Sequence, residues 1–383
     1  MTEEKKLYKT PISLVAGEDR YTCPLSLCLN TYIGCQHECV YCYAKYILEM
    51  YKQWDRRAPC DPEIVRNTIS KSLAGKRNDN IAKLIRMRIP FRFANLTDPF
   101  QQMEEKYRAT FEVCKILAEF TYPAVFNVKG VTGLTTPEYM EVFKKFPCVF
   151  QFTIVTDDDG IAKKIEPGAP SPTERIKALK ILADNGFICQ VRYSPVFPGI
   201  YDEPESLFKK VSEAGCKDII CEQLRVPTNK KQAKLINDAL GFDYIKYLKR
   251  KGYPIQKEPH WWKLEQDYKY KKLLEYKELA KKYGMDFTVC CEDRPQVNDF
   301  RNCCNTDKYG LNSMKYTIQM SSKDFEGKTE DEWIESLEQE CPYEDKLREF
   351  FSKGKFCNCL TEHEFVNGKY RKKAKKSKVD DWI

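Results

Sequence analysis

The stretch YIGCQHECVYCYA, Tyr32 to Ala44, places Cys35, Cys39 and Cys42 on one tight loop, at gaps of three and then two residues, with aromatic residues on both sides of the last. Iron–sulfur clusters are held by thiolates, and a cubane offers four iron sites. Three cysteines on one loop occupy three of them and leave one iron open. A catalytic zinc site keeps a free position by the same logic. A structural zinc ion instead wants a fourth ligand nearby. His37 lies inside the loop, too close in sequence to close a tetrahedron easily with all three thiols. Cys23 and Cys28 are available to complete a zinc site, which is the rival reading of the same residues.

The bulk of the chain bounds the choice. Its 383 residues suffice for one large domain or two ordinary ones. Hydrophobic residues at 42% supply a core, and charged residues at 31% are too many for a membrane protein. No apolar run approaches the ~18 residues that would cross a bilayer. The N-terminal MTEEKKLYKT lacks the apolar segment of a secretory signal, so the expected location is cytoplasmic. There are 18 cysteines and only 3 histidines, so any metal chemistry is thiolate chemistry. In a cytoplasmic chain such cysteines serve as metal or cluster ligands, as redox groups or as buried filler rather than as structural disulfides. Cys60, Cys114, Cys148 and Cys189, in apolar contexts, read as buried filler. The net charge is +8, much of it in GKYRKKAKKSK, Gly368 to Lys378. That tail reads either as a contact for nucleic acid or acidic partners or as a solvated terminus.

A rhythm runs outward from the cysteine loop. SLCLNTYIGC, Ser26 to Cys35, reads as a strand entering the loop, and Tyr43 to Lys52 turns helical. Asp61 and Pro62 open a helix that Gly75 stops. Strands follow at 89–95, 124–130, 149–156, 188–196 and 218–224. Helices at 104–120, 137–145, 172–185 and 205–214 alternate with them. Alternating apolar runs and amphipathic helices imply βα units and a parallel sheet. Six strands in series point to a partial or full (β/α) barrel, and no Gly-rich dinucleotide fingerprint follows any strand. After about Pro227 the rhythm stops, and 229–251 and 268–283 read as charged helices. The expected organisation is an N-terminal extension at 1–25, a core barrel at 26–226 and a mostly helical, cysteine-rich C-terminal domain at 227–383.

A Cys-x3-Cys-x2-Cys loop after the first barrel strand, with Tyr41 just before the third cysteine, resembles the radical S-adenosylmethionine (SAM) superfamily. GCQHECVYCYA is similar to the branch around spore photoproduct lyase. Four further stretches agree: NLTDPFQQMEEKYR (Asn95 to Arg108), VFNVKG (Val125 to Gly130), FQFTIVT (Phe150 to Thr156) and IEPGAPSPTERIKALKILADNGF (Ile165 to Phe187). The resemblance covers roughly residues 26 to 225. It implies an α/β fold, a partial (β/α)6 TIM-like barrel with its active site at the C-terminal mouth. It further implies that Cys35, Cys39 and Cys42 ligate a [4Fe–4S] cluster whose open iron takes SAM. An electron donor such as flavodoxin or ferredoxin would reduce the cluster. Reductive cleavage of SAM would then give a 5′-deoxyadenosyl radical that abstracts a hydrogen atom from substrate. By the same resemblance Tyr41 and Tyr43 line the adenine side. Thr97 and Asp98 stand where the family contacts the cofactor's polar groups. Lys129 neutralises the SAM carboxylate, Thr153 matches a fourth-strand hydroxyl, and Arg175 follows the Glu-Pro-Gly segment. Each has a bland reading. Asp98 before Pro99 starts a turn, Arg175 is a surface helix residue, and Thr153 is a strand filler. Together and in order they favour the cofactor site.

The sequence also departs from the branch. Spore photoproduct lyase has a hydrogen-donating cysteine where this chain has Asn95, which argues against repair chemistry of that type. Cys221, at the end of the last strand, is a weak candidate for the donor if it faces the mouth, and buried filler otherwise. CCEDRPQVNDFRNCC carries Cys290, Cys291, Cys303 and Cys304, and farther on come Cys341, Cys357 and Cys359. These suggest an auxiliary iron–sulfur cluster, with zinc as the runner-up. EPHWWKLEQDYKY, Glu258 to Tyr270, reads equally as a surface for stacking on nucleobases or as a helix-docking apolar seam. The leaning is toward a nucleic acid or a modified nucleotide as substrate. The alternatives are a radical SAM enzyme acting on a peptide or protein and a zinc-bearing nucleic-acid-binding protein.

Overall fold

In a computed structural model, the described residues are 7–15, 23–290, 297–300 and 302–313, with the backbone of 363–366 and 369–372. Cys291, Cys341, Cys357 and Cys359 lie outside them, as does most of the basic tail.

One eight-stranded sheet organises the chain. Its spatial order follows the sequence: Ile12–Leu14, Leu27–Leu29, Phe91–Phe93, Ala124–Val128, Cys148–Thr153, Ile188–Val196, Asp218–Gln223 and Asp286–Val289. The first two strands pair antiparallel, and all later neighbours pair parallel. Each parallel step needs a crossover, and helices supply it. Sequential parallel strands of uniform twist curl the sheet. The two edge strands do not pair with each other, so the curl stays an open barrel. All six expected βα strands are in this sheet.

Strand alternation divides side chains between two faces. Phe93, Phe126, Phe150, Val191 and Ile219 point outward into the main core with helix residues such as Leu117, Phe143 and Leu179. Phe126 and Phe150 stack there at 5.1 Å. Val125, Val149 and Ile220 point inward, as do the buried Gln151 and Gln190, which hydrogen-bond at 2.8 Å.

Several elements differ from the sequence expectation. The sheet does not end near residue 226. Helix Gln266–Lys282 leads into strand Asp286–Val289, which pairs with 218–221 as a further βα unit. The residues before 26 also contribute, through Ile12–Leu14. The expected helix at 104–120 breaks at Arg108, which has φ 50°. There the Glu104 carboxylate accepts from the N–H groups of Thr110 at 3.0 Å and Phe111 at 2.9 Å, capping a new helix at Ala109–Glu119. The expected helix at 229–251 is two, Lys230–Leu240 and Tyr244–Arg250. Gly241 at φ 80° ends the first, and the Asp243 side chain caps the second. The tryptophan-rich stretch, for which no element was expected, contributes a strand. Trp261–Leu264 is the central strand of a small antiparallel sheet with Ile255–Lys257 and Val226–Pro227.

Candidate active site

The cysteine loop is set by backbone constraints on both flanks. Strand Tyr32–Ile33 pairs with Ala58–Pro59. Gly34 then takes φ 76°, and a Cβ there would lie 2.5 Å from the Trp54 carbonyl oxygen. Only glycine suits that turn. Gln101, fully buried, clamps the loop from below. Its amide nitrogen donates to the Gly34 carbonyl at 3.2 Å and its oxygen accepts from the Gln36 N–H at 3.0 Å. Thr97 Oγ1 donates to the same carbonyl at 2.6 Å. Cys42 is the residue before helix Tyr43–Met50, and the free N–H groups of Ala44 and Lys45 point at its sulfur. Such donors favour a thiolate.

The Glu-Pro-Gly segment forms the opposite wall. Val40 N–H bonds to the Ile165 carbonyl at 3.0 Å and Gly168 N–H to the His37 carbonyl at 2.9 Å. A Cβ on Gly168 would lie 2.1 Å from the Gln36 carbonyl oxygen. The segment thereby brings Glu166 under the loop with 1% exposure. Glu166 accepts from the Tyr41 hydroxyl through Oε1. Arg175 Nη2 stands 2.5 Å from Glu166 Oε2 and Lys129 Nζ 3.9 Å from Oε1. Burial alone would raise the Glu166 carboxyl, but Arg175, Lys129 and Tyr41 outweigh it and hold the pKa below its ordinary value. Burial works to lower both cations, and the surrounding anions, Glu166 among them, leave Arg175 and Lys129 raised. Arg175 is fully buried, and its Nη1 donates to the Thr153 carbonyl at 3.0 Å.

Asp98 serves the backbone. Its oxygens accept from the N–H groups of Phe100 at 2.9 Å, Lys129 at 2.6 Å and Gly130 at 3.1 Å. It therefore fixes the turn that carries Lys129. The imidazole of His37 is buried, with Nδ1 at 3.7 Å from Asp98, and burial pushes its pKa down. Burial likewise raises the thiols of Cys35, Cys39 (to about 12) and Cys42.

The parallel strands thus bring together Cys35, Cys39, Cys42, Tyr41, Thr97, Asp98, Lys129, Thr153 and Arg175 at one end. Tyr43 is half exposed and donates to the Asn95 carbonyl at 2.6 Å. A cavity opens beside the third cysteine, lined by Cys39, Tyr43, Lys45, Tyr46, Lys231 and Trp261 among others. The donor set fits a thiolate-held cluster with an anionic ligand beside it. Arg175 Nε and His37 Nε2 are buried without hydrogen-bond partners, so polar capacity is left over at this wall. Among the described residues no three cysteine, histidine or carboxylate side chains converge as ligands of a single metal ion. A cubane instead takes each thiolate on a different iron.

Other sequence candidates lie elsewhere. Cys221 is fully buried on the outer face in the main core, because its neighbour Ile220 takes the inward position. It does not face the mouth. Cys23 and Cys28 do not join the cysteine loop. They sit beside Arg92, and the thiols that act on Cys23 are those of Cys304, Cys290 and Cys28. Cys290, Cys303 and Cys304 pack on the inner face of the sheet. Glu166 and Gln101 were not singled out from sequence. Glu166 lay inside the quoted Glu-Pro-Gly segment, whereas nothing in the sequence marked Gln101.

Residues 29–211 match the model of the radical SAM superfamily. Over this stretch, just under half of the chain, the protein is similar to the radical SAM superfamily. An uncharacterised protein of Methanocaldococcus jannaschii is 27% identical over 180 residues, covering 45% of this chain and 61% of that protein. A radical SAM Nα-GlyT isomerase of Pseudomonas phage M6 is 27% identical over 132 residues, covering 33% of this chain and 27% of the isomerase. This chain thus matches only part of the length of its curated relatives. A mutant of spore photoproduct lyase superimposes with a TM-score of 0.47 at 16% identity, over 69% of this chain and 76% of the lyase. The radical SAM superfamily is a family of enzymes, and the matched residues include the cysteine loop described above.

Proposed function

We propose that this chain is a radical SAM enzyme of the spore photoproduct lyase-like branch, acting on a nucleic acid or a modified nucleotide within one. The observation that supports it most is the assembly of three thiols, Glu166, Lys129 and Arg175 around one loop at the carboxyl ends of parallel strands. Cys35, Cys39 and Cys42 would hold the [4Fe–4S] cluster. When bound and reduced by a donor such as flavodoxin or ferredoxin, the cluster would cleave SAM to methionine and a 5′-deoxyadenosyl radical that takes a hydrogen atom from substrate. The chain's own part is orientation and exclusion. Gln101 and Thr97 hold the loop rigid. Lys129 offers a cation to a carboxylate, and Glu166 keeps Arg175 and Lys129 in place. Tyr41 packs against Phe197 at 5.7 Å and walls the cavity from water.

The substrate class is supported by the cavity's makeup. Tyr43, Tyr46 and Trp261 stand there with Lys45 and Lys231. Nearby, Lys249 lies 4.7 Å from the Trp262 ring. Aromatic faces interleaved with cations suit bases and phosphates. The same reading takes Cys290, Cys303 and Cys304 as ligands of an auxiliary iron–sulfur cluster, with zinc as the runner-up. The test is anaerobic incubation of the reconstituted protein with SAM and dithionite, followed by quantification of 5′-deoxyadenosine. Wild type should release it, and a Cys35/Cys39/Cys42→Ala variant should not. Equal amounts from both would sink the assignment. For the substrate class, binding to single-stranded DNA or RNA should weaken steeply with salt. Salt-independent or absent binding would remove the nucleic-acid reading.

A further inference from the structure

Five cysteines from the two ends of the described chain meet inside the curl of the sheet. Cys28 lies on strand Leu27–Leu29, whose neighbours Leu27 and Leu29 belong to the outer core, so Cys28 points inward. Arg92, on the adjacent strand, reaches Cys23 Sγ and Cys28 Sγ at 3.6 Å each. From the other end, Cys290 follows strand Asp286–Val289. Cys303 and Cys304 form a turn that Thr288 and Gln190 hold by their carbonyls at 2.7 and 3.0 Å. Cys303 Sγ lies 3.9 Å from Cys304 Sγ and is hydrogen-bonded to Cys290 as well. Cys23 packs against this group with Val125, Val149 and Ile220.

Two guanidinium groups face the thiols. Arg192 bonds the Cys290 thiol and stands 3.8 Å from Glu222. Among the described residues the partners of Arg92 are Cys23, Cys28 and Asn95, with no carboxylate among them, and its Nε is buried without a hydrogen-bond partner. A cation held inside a protein without an acidic partner is costly unless an anion stands beside it. Neutral thiols do not meet that need. Thiolates on a cluster do, since a cubane with four thiolates carries excess negative charge.

We propose that the inner face of the sheet holds a second iron–sulfur centre, ligated by Cys290, Cys303 and Cys304 together with Cys23 or Cys28, and neutralised by Arg92 and Arg192. Its identity as an iron–sulfur centre rests on the radical SAM reading above, while its ligand set and placement rest on the geometry. This centre belongs to the barrel rather than to a separate C-terminal domain. It also adjoins the first site. Asn95 accepts from Arg92 Nη2 at 2.8 Å and from the Tyr43 hydroxyl at 3.0 Å, and Tyr43 follows Cys42 directly. One hydrogen-bonded path therefore joins the two groups of thiols, and it suits the second centre to passing an electron to the first or to holding substrate beneath it.

The test measures iron, sulfide and zinc per chain in the full protein, purified and reconstituted without oxygen, with electron paramagnetic resonance of the reduced samples. Wild type should hold about eight irons, and Cys35/Cys39/Cys42→Ala and Cys290/Cys303/Cys304→Ser about four each, with different spectra. Cys23→Ser or Cys28→Ser, tested singly, should lose iron from the second signal alone. Cys114→Ser, a buried cysteine of the outer core, controls for unfolding and should keep the wild-type iron. Full iron in Cys290/Cys303/Cys304→Ser would overturn the proposal, as would zinc in place of iron at these thiols. Full iron in both single variants would overturn the contribution of the N-terminal end. About four irons in wild type, all lost with Cys290/Cys303/Cys304→Ser, would support the second centre and sink the radical SAM reading instead.

Discussion

The two groups of thiols are built in opposite ways. Cys35, Cys39 and Cys42 are neighbours in sequence on one loop, and side chains of Thr97 and Gln101 and the backbone of 165–168 hold that loop. Cys23, Cys28, Cys290, Cys303 and Cys304 come from distant parts of the chain and meet only because the parallel sheet curls. The first group is gathered by sequence and steadied by hydrogen bonds to its backbone, and the second is gathered only by tertiary structure. Three thiols on one loop stay near one another when contacts elsewhere loosen, whereas the second group disperses if the strands that carry it separate.

Changes at either site sharpen or break that contrast. Glu166→Gln has the largest expected effect, because it leaves Arg175 buried beside Lys129 with no carboxylate. Breaking such a buried pair costs about 3–5 kcal/mol. Denaturant titration should show that loss, with SAM affinity falling while iron at the second thiols persists. A wild-type midpoint would refute the role of Glu166 as hub.

Gln101→Ala comes next. It removes one clamp on the loop and strands the Gln36 N–H, at about 1–3 kcal/mol, while Thr97 still serves the Gly34 carbonyl. The first cluster should be lost faster in air and the second should not. Equal loss from both would erase the contrast. Arg92→Gln should leave total iron near wild type and shift the reduction potential of the second centre to more negative values, because a neighbouring cation is gone. A shift confined to the first centre would place Arg92 with the wrong site.

The smallest effect is at Asp157, away from both sites. Burial works to raise its carboxyl, but hydrogen bonds from Lys210 and Ser206, at 2.6 Å each, outweigh it and hold the pKa below the ordinary value. A depressed carboxyl stabilises the fold above the unfolded pKa of about 3.9, and that contribution fades as pH falls through the lower folded value. Asp157→Asn should cost about 0.5 kcal/mol at pH 7 and nothing in strong acid. A cost that grows toward acid would reverse the sign.

Much of the fold was legible because period and spacing are local signals. The cysteine loop, the six strands and the helix from Pro172 could be read from residues alone, and the structure adds the Ser171–Glu174 capping box that opens that helix. The strand Asp286–Val289 was missed because four residues between a charged helix and a cysteine run carry too little alternation. The split at Arg108 depends on a long-range choice by Glu104, whose carboxylate also takes the Tyr139 hydroxyl at 2.6 Å. Cys221 could be read either as facing the mouth or as buried, and one residue of register decides for burial in the outer core. Arg92 carried no signal at all, since its importance lies in neighbours that the sheet brings from afar.

The most direct test of the central claim uses Cys290/Cys303/Cys304→Ser protein, in which only the first cluster should remain. Its reduced electron paramagnetic resonance spectrum is recorded before and after addition of SAM. An open iron that takes the amino and carboxylate groups of SAM should give a changed spectrum, and the change should vanish in the Cys35/Cys39/Cys42→Ala variant. A loaded, reduced cluster whose spectrum ignores SAM would contradict the account.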